Sequence, residues 1–188
     1  MSKKKLNPLF LLSVIGCIIV LISCSKKSID SPDYYMKAQI NGMDWSADKD
    51  GAWFQMDYDN TLNYHVTNIF SQSEKLLDSI QYKIDITSRH YPKNGKYFFD
   101  NTSPFIPYDG AAAIVFGWVK KGIANESFTT QSFNGFVEIL EINKTHMRGR
   151  FEFDSKRTQG STAIDTLQVR NGSFNVPLTV VSGKEWNP

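Results

Sequence analysis

The side chains able to do chemistry are few and widely spaced. His65, His90 and His146 are the only histidines, separated by 25 and 56 residues, and none has a histidine, cysteine or acid partner at the spacing of a zinc site. Three surface or turn histidines are the expectation. The densest acidic stretch runs through Asp44, Asp48, Asp50, Asp57 and Asp59. Within it Asp48-Lys49-Asp50-Gly51 supplies two carboxylates and a turn, so Asp48 and Asp50 are the weak calcium candidates. The full EF-hand pattern ending in Glu is absent, and a solvated hairpin loop explains the same residues. Glu138 and Glu152 are placed to face each other across a hairpin, and two carboxyls roughly 5 to 10 Å apart are what glycoside hydrolysis requires. Arg148 and Arg150 beside them make ordinary cross-strand charge pairing the simpler account. There is no Gly-x-Ser-x-Gly elbow and no glycine-rich phosphate loop. The sequence therefore assigns no catalytic residue, no metal and no cofactor.

Aromatic side chains are the more suggestive resource. The chain of 188 residues holds 4 Trp, 8 Tyr and 13 Phe, a richness incompatible with intrinsic disorder. Indole faces pack well on sugar rings, so the tryptophans raise a glycan-binding hypothesis. Trp45 and Trp118 lie inside strand patterns and are expected in the core, which leaves Trp53 and Trp186 as the candidate ligand-binding platforms. Asp78-Ser79-Ile80 and Asp165-Thr166-Leu167 match the short Asp-Ser/Thr-apolar site used by Bacteroidota O-glycosylation systems, making Ser79 and Thr166 candidate acceptors.

Both cysteines, Cys17 and Cys24, fall at the start of the chain, so no disulfide is expected within the domain that follows. Lys3, Lys4 and Lys5 precede an apolar run from Pro8 to Ile22, the order of an export signal. That run falls short of the roughly 20 residues of a membrane-spanning helix. It ends Leu21-Ile22-Ser23-Cys24, which resembles the lipobox of bacterial lipoproteins. The resemblance implies a signal peptide over 1–23, cleavage before Cys24, and a diacylglyceryl thioether on the Cys24 sulfur. Several acyl chains together then hold the protein to a membrane that a single chain would grip only marginally. The leader carries three lysines and no acid, so its removal turns the net charge of +2 into −1, which leaves no electrostatic footprint for nucleic acid. Ser25 after the cysteine favours release to the outer membrane. Lys26 and Lys27 stand where many surface-exported lipoproteins carry acids, and this favours the periplasmic side over outward display.

The elements that must position these groups are strands. Residues 24–33 read as the lipidated cysteine and a polar tether, and 34–188 as one antiparallel β domain. Met36, Ala38 and Ile40 alternate with polar residues, Asn41-Gly42 supplies a tight turn, and Met43 begins the return strand. Ile80, Tyr82, Ile84 and Ile86 alternate likewise. Lys96 to Phe99 makes a further strand, and Ala111 to Val119 is a continuous apolar run suited to a strand covered on both faces. Gly135 to Ile142 and Met147 to Phe153 form a second hairpin. Asp165 to Arg170 and Ser173 to Val180 are expected as a third across Asn171-Gly172, with Pro177 marking an edge strand. Ser73 to Leu77 allows one helical turn. The fold class is all-β, a single sandwich or barrel-like domain, and periodicity is compatible with both.

Five blocks carry a family resemblance: 38–47 (Ala-Gln-Ile-Asn-Gly-Met-Asp-Trp-Ser-Ala), 94–97, 134–139, 148–153 and 169–174. On these the chain is similar to a family of small Bacteroidota lipoproteins built on a domain of unknown function. The family implies a β-rich fold and an outer-envelope address, with no activity or catalytic residue to carry over. The expectation is a non-enzymatic lipoprotein that binds or supports something at the membrane face. Its partners would be the membrane, through the lipid on Cys24, and a glycan or an envelope protein. A glycan-binding accessory role is the alternative; a carrier of a lipophilic ligand and a carboxylate-dependent hydrolase follow behind.

Overall fold

Alternation of apolar and polar side chains builds nearly all of the structure. The computed structural model describes residues 33–90, 92–99, 110–121, 124–160 and 165–186. The leader, Cys17, Cys24 and the tether up to residue 32 lie outside the described residues. The strands are β1 Tyr35–Ile40, β2 Met43–Ser46, β3 Ala52–Asp59, β4 Tyr64–Ser71, β5 Leu76–Leu77, β6 Ile80–Ser88, β7 Gly95–Phe98, β8 Ala111–Lys121, β9 Ala124–Ile142, β10 His146–Gly160 and β11 Thr166–Ser182. They form one 11-stranded sheet. Its pairings are antiparallel except for β11 with β3, which run parallel.

Seven of the strands, in the order β3, β4, β6, β8, β9, β10 and β11, return to β3 and make a partly closed ring. The hairpin β1–β2 hangs on β11, β5 on β6, and β7 on β9. Inward-facing residues fill the ring: Met36, Ile40, Phe54, Met56, Ile84, Met147, Phe151, Phe174 and Val176 have no exposed surface at all. Four of the phenylalanines sit directly opposite a glycine on the neighbouring strand. Phe128 faces Gly117, Phe153 faces Gly135, Phe174 faces Gly149 and Phe151 faces Gly172. A missing side chain on one strand gives the ring on the next its seat.

Several sequence expectations hold. Asn41 (φ 50°) and Gly42 (φ 79°) form the tight turn between β1 and β2, as two successive left-handed residues should. The hairpin of β9 and β10 is also present, longer than its apolar core suggested. The third expected hairpin is not. Asn171-Gly172 lies inside the single strand β11, where Asn171 (φ 53°) makes a bulge toward both β10 and β1. Only one of the two residues is left-handed, which is one too few for the turn and enough for a bulge.

Nor is β11 an edge strand. It runs between β10 on one side and β1, then β3, on the other. Pro177 is tolerated there because it falls between Asn175, the last residue paired to β1, and Leu178, the first paired to β3. The missing N–H thus faces a gap in the ladder. The helical turn expected at Ser73 to Leu77 is instead extended chain leading through β5 into a turn at Asp78 (φ 49°) and Ser79 (φ 66°). Strands β3 and β4 were not foreseen, because their outward positions carry aromatic residues that blur the two-residue period.

Candidate functional site

The outward face of β3, β4, β6 and β8 carries the aromatic residues that the core does not take up. Trp53 stands between the buried Ala52 and Phe54 and so points out of the sheet. Phe70 is its cross-strand partner on β4, with ring centroids 5.7 Å apart. On β6 the outward series is Gln81, Lys83, Asp85 and Thr87, and on β8 it is Ile114, Phe116 and Trp118. Lys83 Nζ lies 5.6 Å from the Phe70 ring centre and 5.3 Å from that of Phe116, and Phe116 is 6.4 Å from Trp118. Trp53, Phe70, Lys83, Phe116 and Trp118 therefore form one oblique row. Trp53, Phe70 and Phe116 are half-buried, and Trp118 is 37% exposed.

The centre of the row is charged and compensated. Lys83 Nζ is 2.9 Å from the Asp85 carboxylate, which also accepts the Ser71 amide at 3.4 Å. β4 and β6 share only the pairs from Thr67 with Ser88 to Ile69 with Ile86. Beyond them Ser71 Oγ accepts the Ile84 amide at 2.9 Å and donates to the Ile84 carbonyl at 2.6 Å, standing in for a ladder partner. Asp85 is held in this divergence. Burial pushes its carboxyl above the ordinary 3.8, and the hydrogen bond and charge of Lys83 and the Ser71 amide pull it back only in part. A carboxylate perturbed by desolvation beside a specific cation is a common mark of a functional surface.

A polar strip runs alongside. Asn68 donates to Asp57 at 2.7 Å and accepts from Thr87 at 2.9 Å. Gln55 and Ser182 also donate to Asp57, at 3.0 and 2.7 Å. Gln55 and Asn68 thus stand two residues along their strands from Trp53 and Phe70, with Thr87 bonded to Asn68 on β6, a mixture of apolar rings and fixed polar groups that suits a hydroxylated ligand.

The other sequence candidates fall elsewhere. Trp186 is 5% exposed and packed in the core, so its ring offers no open face. Trp45 is core as expected, whereas Trp118 faces outward: only the Ala111–Ala113 part of β8 is covered on both faces. His65 corrects the surface expectation, being 5% exposed with Nε2 2.7 Å from the Lys184 carbonyl. His146 pairs with Glu141 at 3.2 Å, and His90 stacks on Tyr97 at 4.7 Å. Asp48 uses a carboxylate oxygen to accept the Glu74 amide at 2.8 Å, tying its loop to the chain before β5. No group of three metal-ligating side chains occurs among the described residues.

Glu138 and Glu152 do not face each other. Glu138 is opposite Arg150 and bonded to it, while Glu152 is opposite Phe136. Ser79 is exposed at the β5–β6 turn. Thr166 is exposed too, but starts β11 opposite Lys156, next to the Asp165–Arg157 ion pair. Of the row, the sequence singled out Trp53 alone. The signal for the rest was aromatic residues at positions out of phase with the apolar face: Phe70 beside Ile69, and Phe116 and Trp118 beside Val115 and Val119.

Two carboxylates respond oppositely to pH. Burial also raises Asp154, on β10, but hydrogen bonds from Asn134 and Arg170 and the Arg170 charge outweigh it and hold the carboxyl below 3.8. Asp154 thus stabilises the fold above pH 3.8, and this is lost as pH falls through its lowered value. Asp85 binds its proton more tightly when folded, so its contribution is complete below 3.8 and lost as pH rises through its raised value. In urea unfolding followed across acid pH, Asp85→Asn is expected to remove the loss on the rising side and Asp154→Asn the loss on the falling side. Curves that run parallel to the wild type in both variants would contradict these assignments.

No family model, curated protein or solved structure matches the chain.

Proposed function

We propose that this chain is a non-catalytic, lipid-anchored binding protein of the bacterial outer envelope, facing the periplasm. In this reading its barrel-like domain presents the row Trp53, Phe70, Lys83, Phe116 and Trp118 to a glycan. The observation that carries the ligand assignment is the row itself: two ring pairs, Trp53–Phe70 and Phe116–Trp118, bridged by the Lys83 ammonium on an outward sheet face, with the Gln55, Asn68 and Thr87 side chains alongside. A core role for these rings would have turned them inward, where Phe54, Val115 and Val119 already lie. The anchoring rests on the order of basic cluster, apolar run and Leu21-Ile22-Ser23-Cys24. The glutamate pair that motivated a hydrolase is engaged in separate contacts, with Arg150 and with the Asn171 amide.

Affinity electrophoresis through gels containing neutral polysaccharide tests the ligand class. The wild-type protein is expected to be retarded, and Trp118→Ala to lose about tenfold in affinity, equivalent to about 1.4 kcal/mol. Retardation unchanged in both Trp118→Ala and Trp53→Ala would remove the row from the binding face. In the bacterial host, Cys24→Ala is expected to shift the protein from the membrane to the soluble fraction, and full membrane retention would overturn the anchor.

A further inference from the structure

The geometry of the row points to its ligand: we propose that it takes an internal stretch of an extended, uncharged polysaccharide, laid obliquely across the strands. This rests on the glycan reading above and narrows it. Three features of the row lead there.

The first is length. The row crosses four adjacent strands, from β3 to β8, and neighbouring strands lie about 4.8 Å apart, so it is on the order of 14 Å across. Its ring pairs are spaced 5.7 Å (Trp53 and Phe70) and 6.4 Å (Phe116 and Trp118), and Lys83 Nζ lies 5.6 and 5.3 Å from the two phenylalanine rings between them. A single sugar covers one ring pair, whereas an extended β-linked chain of three or four sugars reaches from the Trp53–Phe70 pair to the Phe116–Trp118 pair. The second is openness. Neither the cleft of about 420 Å³ at Lys37, Asp44 and Lys75 nor that of about 260 Å³ at Arg157 to Gly160 includes a residue of the row. The exposed Trp118 and the half-buried Trp53 stand at its two ends. With a ring at each end, the row can hold the interior of a chain.

The third feature is charge. The one cation in the row, Lys83, is compensated by Asp85 at 2.9 Å, and its ammonium is further engaged by the faces of Phe70 and Phe116. No uncompensated positive charge remains in the row to draw a uronate or sulfated polymer. The polar strip of Gln55, Asn68 and Thr87 is tied, directly or through Asn68, to the Asp57 carboxylate, so the charge it brings beside the row is negative and repels an anionic polymer.

The test is isothermal titration of the full-length protein, purified from membranes in detergent, with β-1,4-linked gluco-, xylo- and manno-oligosaccharides of two to six units. Oligogalacturonates serve as the charged counterpart. Affinity for at least one neutral series is expected to rise about tenfold or more from two to four units and then level off. Chemical reduction of the chain end should leave it unchanged. Trp53→Ala and Trp118→Ala, each at one end of the row, should flatten this length dependence. Affinity independent of length, dependence on a free chain end, or tighter binding of the galacturonates would overturn the inference while leaving the glycan reading in place. No binding to any series, neutral or charged, would overturn both.

Discussion

Phe128→Ala is expected to cost about 3–5 kcal/mol of folding stability and Gly117→Ala about 1–3 kcal/mol, yet the two together should cost clearly less than their sum. Phe128 is 2% exposed on β9 and lies over Gly117 of β8. A Cβ built on Gly117 would stand 2.1 to 2.8 Å from three atoms of the Phe128 ring, its three nearest neighbours. The ring has little freedom to move aside, being packed edge-on against Tyr82 at 6.2 Å. Removing it frees the space the new methyl needs, so the clash disappears in the double variant and the cycle shows coupling.

Gly149 supplies the contrast. There a Cβ would meet the Phe174 ring at 2.4 Å but also the Glu138 carbonyl oxygen at 2.2 Å. That oxygen belongs to the backbone of β9 and cannot withdraw without disturbing the β9–β10 ladder. Phe174→Ala should therefore rescue Gly149→Ala much less than Phe128→Ala rescues Gly117→Ala. Urea midpoints of the single and double variants measure all these quantities. Strictly additive losses at positions 117 and 128 would mean that ring and glycine are not fitted to each other. Against a usual domain stability of about 5–15 kcal/mol, the loss of Phe128 alone is a large fraction.

The same seam explains which parts of the fold were legible in the sequence. Asn41-Gly42 and Asn171-Gly172 are the same dipeptide, and both place Asn in the left-handed region, at φ 50° and 53°. The first turns the chain and the second only bulges it. What separates them is the partner: Gly172 is the seat of the Phe151 ring, whose atoms lie 2.6 Å from where its Cβ would be, and Asn171 donates to Gln39 of β1 at 2.9 Å. Those contacts belong to residues 21 and 132 positions away in sequence, and local turn chemistry carries no trace of them. Strand β6 was legible because its four inward aliphatic and aromatic residues alternate with polar ones.

Most of the outward aromatic row was illegible for a related reason. Which side of β8 is the inside depends on ring closure, and before closure is known Phe116 and Trp118 look no different from core residues. Trp53 stood out only because it lay outside any recognised strand. Trp186 misled in the opposite sense: it follows the last strand, where periodicity gives no information, and the chain carries it back into the core.

That return is what closes the ring, so ending the chain after Leu178 is expected to unfold the domain or remove more than about 4 kcal/mol of stability, with Trp186→Ala alone costing about 3–5 kcal/mol. β11 reaches β3 through four residue pairs from Leu178 with Phe54 to Ser182 with Asp57. Beyond them the chain is held by side chains. Ser182 Oγ donates to Asp57 at 2.7 Å. The Lys184 carbonyl bonds His65 Nε2 at 2.7 Å, and Lys184 Nζ sits 4.5 Å from the Tyr58 ring centre. Trp186 then fills the core at 5% exposure, although its indole N–H finds no hydrogen-bond partner among the described residues. That unmet donor opposes burial, so shape and apolar area must hold the ring in place. Trp186→Phe keeps most of that area and removes the donor, and should therefore stay within about 1 kcal/mol of the wild type while Trp186→Ala does not. Hydrogen exchange adds the location of the damage: in Trp186→Ala the amides of β3 and β4 should lose protection before those of β9 and β10, because the β3–β11 contact is the shortest join in the ring after the three pairs of β4 with β6. Equal losses of stability in the Phe and Ala variants would instead assign the role of Trp186 to its N–H, and uniform loss of protection would mean that the ring opens as a whole rather than at this join.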